Sequence, residues 1–306
     1  MNNKFVYNSY HKLDNCVPLN FLNKIFKSKI YVNKNTGSLI FKKYYNTDKI
    51  LKIWDARYFS KSKNIYKSYS SSNPYFISRH TFVIEFLKNF FIEKNIKTES
   101  FKYADIGSGN GTLLYELSQR LKYKEIIGFD YSNVLNKNNN ANFKKKKIKN
   151  YKFVTSVAEK IDNEKFKNYF DVIFITWTLS SCSNPINFMK NIYKLLKNNG
   201  IVVVAESSRI LVYPSKSIYD YFSLAYDTGS YYPWRFSFNS LKNLLTYSGL
   251  LHLRNNKYHE HNDLIIISKK KTFKKNYMFD DYKEIIKFFK IWLKNSQLFK
   301  KLAVKI

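Results

Sequence analysis

The chain has little cysteine, little arginine and no long apolar run, and each shortage excludes something. Its two cysteines, Cys16 and Cys182, lie far apart and make no disulfide framework, so a reducing compartment is the default. No apolar run approaches the length of about 18 residues that a membrane-spanning helix requires. The opening Met1-Asn2-Asn3-Lys4-Phe5-Val6-Tyr7-Asn8 has no apolar leader core, and the expectation is a soluble, cytoplasmic protein. No internal repeat is visible. Arginine is the informative scarcity: six against 47 lysines, in a chain of formal charge +31. Such a charge suggests nucleic acid or an anionic membrane surface. However, readers of nucleic acid favour arginine for bidentate contacts, and Lys, Asn, Ile, Phe and Tyr all have A/T-rich codons. The charge is therefore weak evidence for a polyanionic partner. At 306 residues the chain can hold one α/β domain, a smaller region and ample core.

What is present is organised around Tyr103-Ala104-Asp105-Ile106-Gly107-Ser108-Gly109-Asn110-Gly111-Thr112. This reads as a short strand ending in a carboxylate, three glycines at alternate positions, and a helix from Leu113 to Leu121. Glycine lets the backbone turn tightly and a ligand approach closely. The helix aims free N–H groups and its positive dipole end into the turn. Dinucleotide folds want G-x-G-x-x-G. Here the last glycine comes one position early, and an acid stands two before the first. That acid suits a cationic amino group and is unhelpful beside a pyrophosphate. The pattern D-x-G-x-G-x-G resembles motif I of the class I S-adenosylmethionine-dependent methyltransferases. The resemblance implies a Rossmann-like, doubly wound α/β sheet of seven strands with an antiparallel terminal strand. It also implies S-adenosylmethionine as cofactor, with S-adenosylhomocysteine as product.

Further strands follow in the expected order. Ile126-Ile127-Gly128-Phe129-Asp130 ends in an acid placed to accept ribose hydroxyls, with Tyr131 next to it to stack on adenine. After the strand at Tyr151–Thr155, Ala158 and Glu159 match the family's adenine-side Ala-Glu, while Val157 replaces its preceding acid. Phe170-Asp171-Val172-Ile173-Phe174-Ile175 is continuously apolar, as a doubly covered parallel strand should be. It runs into Thr176 and Trp177, the latter a candidate wall of the pocket. Residues 185 to 200 read as an amphipathic helix closed by Gly200, and Ile201–Glu206 as the next strand.

The regions are then 1–55, a hairpin; 56–80, a lid or linker containing Tyr69 and Arg79; 81–270, the cofactor-binding domain; and 271–306, a basic amphipathic helix. The hairpin resembles the zinc ribbon that precedes the catalytic domain in bacterial sugar methyltransferases. Cys16 stands at its first ligand position, but Leu19, Asn33 and Thr36 occupy the others. One thiolate cannot hold a structural zinc, so no metal is expected; an unrelated hairpin is the alternative. Phe236 to Leu250 is similar to that group's F-S-x-x-S-L-x-x-L-L helix. The acid–His pair preceding it there is Tyr231-Tyr232 here, which weakens a C-methylation reading.

Methyl transfer from a sulfonium needs positioning more than acid–base help, so catalytic residues are less legible than cofactor residues. A base is needed when the acceptor holds its proton tightly, as a sugar hydroxyl does. Glu206, at the strand edge where ligands bind in open sheets, is the first candidate base and His259 the second. Arg209 suits a phosphate or carboxylate, and Tyr213, Tyr232 and Tyr69 complete the candidate acceptor residues. The cofactor set is Asp105, Gly107, Ser108, Gly109, Gly111, Asp130, Tyr131, Ala158, Glu159, Thr176 and Trp177. The expected acceptor is a small or saccharide molecule, including a nucleotide-linked sugar. An RNA acceptor is a second reading, although the Asn/Asp-Pro-Pro-aromatic motif of base-amine methylators is missing. A non-catalytic cofactor-binding member is a third. The C-terminal helix suits weak contact with an anionic membrane, or packing on the domain or on a partner in a homodimer.

Overall fold

A computed structural model describes residues 15–26, 29–41, 52, 78–161, 164–206, 210, 218–219, 233–257, 260–261 and 263–303. Its main sheet contains β4 (Lys102–Ile106), β5 (Glu125–Asp130), β6 (Tyr151–Thr155), β7 (Phe170–Thr176), β8 (Leu196–Glu206), β10 (Leu250–Asn255) and β11 (Leu264–Lys270). The spatial order is β10-β11-β8-β7-β4-β5-β6. Strands β4 to β8 pair in parallel, and β11 enters antiparallel against both β8 and β10. This is the seven-stranded doubly wound sheet with an antiparallel terminal strand expected from the sequence, and that strand, β11, lies inside the sheet between β8 and β10.

Apolar runs make these strands because both faces are covered. Val172 and Phe174 of β7 join one core with Val83, Ile84 and Leu87 of helix α2 (Arg79–Glu93) and Leu113, Leu114 and Leu117 of α3 (Thr112–Arg120). Ile173 and Ile175 face the other core, with Ile186, Met189 and Ile192 of α5 (Pro185–Leu195) and Leu241, Leu244 and Leu245 of α6 (Phe238–Tyr247). Ser237 caps α6 in a reciprocal capping box with Ser240. Lys270 donates to the carbonyls of Tyr193 and Leu196 at 2.8 and 2.7 Å and to Asn168 Oδ1 at 2.9 Å. One ammonium thereby satisfies the C-terminal end of α5.

Gly200 does not close α5. The helix ends at Leu195 and the chain is already extended at Leu196. Gly200 instead lies within β8, where a Cβ would stand 2.9 Å from the Lys197 carbonyl oxygen and 3.1 Å from that of Phe170.

The second sheet crosses the boundaries drawn from the sequence. It contains β1 (Cys16–Pro18), β2 (Ile30–Asn33), β3 (Leu39–Phe41) and β9 (Trp234–Arg235), in the order β1-β2-β3-β9. Its core joins Ile30, Val32, Leu39 and Phe41 to Leu22 and Phe26 of α1 (Asn20–Phe26). Ile285, Phe289 and Trp292 of α7 (Tyr282–Ala303) complete it. The amphipathic C-terminal helix thus spends its apolar face on the N-terminal hairpin of its own chain. Strand β9 ties this unit to the main domain: Ile40 and Trp234 pair and are both buried in the main core. Helix α4 (Asn133–Lys145) follows β5, and its last lysines are exposed, as a solvated helix end should be.

Candidate functional site

Beyond β4 the chain turns through Gly107, Gly109 and Gly111 at φ +78°, +50° and +72°, the left-handed region that glycine enters without penalty. A side chain at Gly107 would collide with Thr178, so this position needs both the dihedral and the space. The loop is held by its neighbour strand. The Phe129 carbonyl accepts from Gly107 N and Ser108 N at 2.8 and 3.0 Å. Asp130 Oδ2 accepts from Gly109 N at 2.9 Å, and its Oδ1 accepts from Ser132 N at 3.0 Å. Asn139 of α4 donates to the Gly109 carbonyl at 2.8 Å, and Asn136 donates to the Asp130 carbonyl and to Thr155 Oγ1.

Asp105 lies beneath this loop with 1% exposure, and its Oδ1 meets no hydrogen-bond donor among the described residues. Burial, with the Asp130 carboxylate adding to it, pushes its pKa up to about 8. An unpartnered buried carboxyl costs stability, and a cation placed against it would relieve that cost. Ser108 Oγ is buried nearby in the loop, also without a partner among the described residues. Tyr131 is half-buried beside Asp130. Ala158 and Glu159 lie in a single 3₁₀ turn. Glu159 Oε1 is already taken by the backbone N–H and hydroxyl of Ser183 at 3.0 and 3.2 Å. That oxygen anchors the connection leading into α5 rather than standing free for a base.

The opposite wall is assembled from distant segments. Trp177 sits at φ +57°, a conformation that costs a bulky residue free energy and marks a site over-determined by its surroundings. Its backbone N–H donates to the Ala205 carbonyl at 2.7 Å, and its indole N–H donates to Asp263 Oδ2 at 2.9 Å. From α2, the Arg79 guanidinium lies 3.8 Å above the Trp177 ring, and His80 meets that ring edge-on at 5.0 Å. Phe82 stacks on His261 at 4.7 Å, and His261 Nδ1 accepts from Asp263 N at 3.0 Å. Burial and the adjacent Arg79 lower the pKa of His80 to about 4, so it is neutral at physiological pH.

Glu206 ends β8 at the same edge and is fully buried. Its Oε1 accepts from Ser180 N at 3.1 Å, whereas Oε2 has no partner among the described residues. Burial raises its pKa to about 7; the Ser180 hydrogen bonds and the Arg235 charge act the other way, and the Asp263 charge adds to the rise. The 3₁₀ turn Leu179–Ser181 that holds Glu206 is backed by β9, where Trp234 Nε1 donates to the Cys182 carbonyl at 3.1 Å.

A family model described as a methyltransferase domain matches residues 97–278. The chain belongs to that family. Among curated proteins it is similar to the ubiquinone/menaquinone biosynthesis C-methyltransferase of Coxiella burnetii, 30% identical over 76 residues. That match covers 25% of this chain and 30% of the relative. A chain in the Haloferax volcanii complex between the Trm112 activator and a methyltransferase superposes with a TM-score of 0.51 at 12% identity. It covers 74% of this chain and 99% of that one, a likeness of fold alone. A SAM-dependent methyltransferase from Aquifex aeolicus has a TM-score of 0.47 and 17% identity, covering 60% of this chain and 88% of that one.

The cofactor of such a methyltransferase domain is S-adenosylmethionine, and the donor set here fits it. Asp105 would take the amino group. Asp130, at the end of the neighbouring strand, would take the ribose. The glycine turn leaves room for a backbone approach. The structure brings Asp105, the loop, Asp130, Thr176, Trp177 and Glu206 to one edge of the sheet. Tyr69, Arg209, Tyr213, Tyr232 and His259 lie outside the described residues. Asn136, Asn139 and His80 were missed, whereas the hairpin turn that holds His261 and Asp263 reads from the sequence as facing either the pocket or solvent. The two asparagines sit three apart inside an Asn-rich run that reads as solvent-facing, and only their burial (3% and 1% exposed) distinguishes them.

Among the described residues no group of His, Cys, Asp and Glu converges as a metal site. The turn between β2 and β3 is joined by hydrogen bonds. Asn33 Oδ1 accepts from Asn35 N and Thr36 N at 2.8 and 3.1 Å, and its amide approaches Cys16 Sγ at 3.7 Å.

Proposed function

We propose that this methyltransferase domain transfers a methyl group to a hydroxyl of a small saccharide-type acceptor, such as a nucleotide-linked sugar, with Glu206 as general base. The observation that carries the reading is the Glu206 carboxyl: buried, half unpartnered among the described residues, and placed near neutral pKa at the ligand-binding edge. A base poised near the working pH transfers protons most effectively.

When bound, S-adenosylmethionine supplies an electrophilic methyl group and leaves as a neutral thioether. The chain's own part is positional and protonic. Asp105 and Asp130 orient the ligand, and Trp177 with its neighbours excludes water and walls the acceptor. Glu206 Oε2 accepts the hydroxyl proton as the oxygen–carbon bond forms. Such positioning is worth much of the barrier when reacting atoms are held about 3 Å apart.

The test has two stages. Calorimetric titration with S-adenosylmethionine should show binding that Asp105→Ala and Asp130→Ala each weaken by roughly 1.5–3 kcal/mol, as lost charge-assisted hydrogen bonds do. Labelled methyl transfer to a panel of nucleotide sugars should then fall by about 10²–10⁴ in Glu206→Gln at unchanged cofactor affinity. A fully active Glu206→Gln would remove the base from the reading, and a wild type that binds no cofactor would remove the reading itself. A carbon acceptor is the second reading, favoured by the likeness to a C-methyltransferase over 76 residues. A product whose label survives ether cleavage would select it.

A further inference from the structure

We infer that Arg79, stacked on Trp177, recognises an anionic group on the acceptor, so that the acceptor carries a phosphate or a carboxylate close to the atom that is methylated. This deepens the function proposed above and rests on it.

The argument begins with scarcity. A chain with 47 lysines and six arginines meets most needs for positive charge with lysine, so each arginine's surroundings are informative. Arg120 is neutralised by Glu85 and Glu116 at 3.2 and 2.6 Å. Arg254, over the Phe86 ring, is held by both oxygens of Glu93 at 2.8 Å. Arg235 is buried in the field of Glu206. Arg79 has a different environment. Its face is against an indole at 3.8 Å, and no carboxylate pairs with it among the described residues.

Stacking fixes the plane of a guanidinium while leaving its in-plane N–H groups available, and those N–H groups match a carboxylate or phosphate in a bidentate fork. A lysine could supply the charge but not the plane. The indole beneath is itself immobilised, by its left-handed backbone and by Asp263 at its N–H edge. Asp263 meets the edge of the ring and Arg79 its face, so the acid anchors the platform without occupying the fork. His80, lowered to about 4, contributes no charge at neutral pH. Arg79 is therefore a standing positive charge on the face of this wall, stacked on the residue whose backbone N–H bonds the strand that carries Glu206. A base that takes a proton beside a bound anion needs such a counter-charge, or the two negative groups would repel.

The experiment titrates pyrophosphate into the full chain saturated with S-adenosylhomocysteine, following heat and indole fluorescence, and repeats the titration without nucleoside. The wild type is compared with Arg79→Gln, Arg79→Lys and, as a control for general surface charge, Lys287→Gln on the exposed face of α7. The inference expects Arg79→Gln to weaken pyrophosphate by about tenfold or more, as loss of a charge-assisted fork does. Arg79→Lys should fall between the two. Lys287→Gln should match the wild type, and S-adenosylhomocysteine should bind every variant within about threefold. Equal pyrophosphate affinity in wild type and Arg79→Gln would overturn the inference. So would a tenfold loss of S-adenosylhomocysteine affinity with pyrophosphate unchanged, because the arginine would then serve the cofactor's carboxylate. A wild type that binds no S-adenosylhomocysteine would sink the functional reading, while the nucleoside-free titration would still decide whether Arg79 binds anions.

Discussion

The two sides of the candidate site are built by different rules. The cofactor side comes from consecutive residues: one strand, one glycine turn and one helix start, fixed by the next strand's Asp130. The wall proposed for the acceptor is gathered from α2, the end of β7, the β10–β11 turn and the β8 edge, backed by a strand of the second sheet. Each arrangement carries its own stored cost. By the glycine turn it is Asp105 Oδ1, buried without a donor among the described residues; on the opposite wall it is Trp177 in a left-handed conformation and the half-satisfied Glu206. A loop can be specified locally, whereas a wall of scattered residues depends on the whole fold for its geometry.

The comparison breaks hardest at the second sheet. Phe289→Ala empties a fully buried site in the core shared by α7 and the N-terminal hairpin. A loss of about 3–5 kcal/mol is expected for such a truncation. Methyl transfer should fall with it while cofactor affinity per folded molecule holds, measured by denaturant titration and calorimetry side by side. Equal loss on both sides would mean that the two walls are one cooperative unit.

Next is Gly107→Ala. Adding a methyl at φ +78° against Thr178 combines backbone strain of about 1–3 kcal/mol with a steric conflict. Cofactor binding should be lost together with several degrees of melting temperature.

The carboxyls sharpen the contrast through pH. Asp105 has its folded pKa raised to about 8 from an ordinary value of 3.8, so its stability contribution is complete in acid and is lost as pH rises through that window. Asp105→Asn should therefore stabilise the ligand-free protein more at pH 8 than at pH 5, while weakening cofactor binding. Wild-type binding should release protons near neutral pH, detectable from binding heats in buffers of different ionisation enthalpy. Glu206→Gln should show the same sign in the narrower window from 4.5 to about 7, without touching cofactor affinity.

The smallest effect is expected at Asp263→Ala. Losing the indole hydrogen bond costs about 1–2 kcal/mol and frees Trp177. The turnover rate should drop severalfold, with cofactor affinity little changed.

These differences track what was readable. The glycine turn and its flanking strands appear in the sequence because a tight turn needs glycine at set intervals and a buried strand needs consecutive apolar residues. Both demands are met by neighbours in the chain. Glu206 was singled out by its position at a strand end, where the structure also has it. His80 was not, and His261 and Asp263 could be read either way, because a histidine or aspartate beside a helix start or hairpin turn looks the same whether it faces solvent or a pocket. Glu159 was read as an adenine contact by analogy, and only the Ser183 hydrogen bonds show that one of its oxygens is committed elsewhere. The end of α5 was misplaced because Gly200 resembles a helix cap, although the strand had already begun at Leu196.

By itself, then, the sequence determined the parallel sheet, its glycine turn and the two acids at its strand ends, since periodicity and local dihedral demands are properties of contiguous residues. Only the tertiary structure decided that β9 leaves one sheet to complete another, and that the C-terminal helix covers the N-terminal hairpin. It also decided that Arg79 lies on Trp177. Such pairings join residues far apart in the chain, and they are selected by the burial and packing of the whole molecule rather than by any local preference.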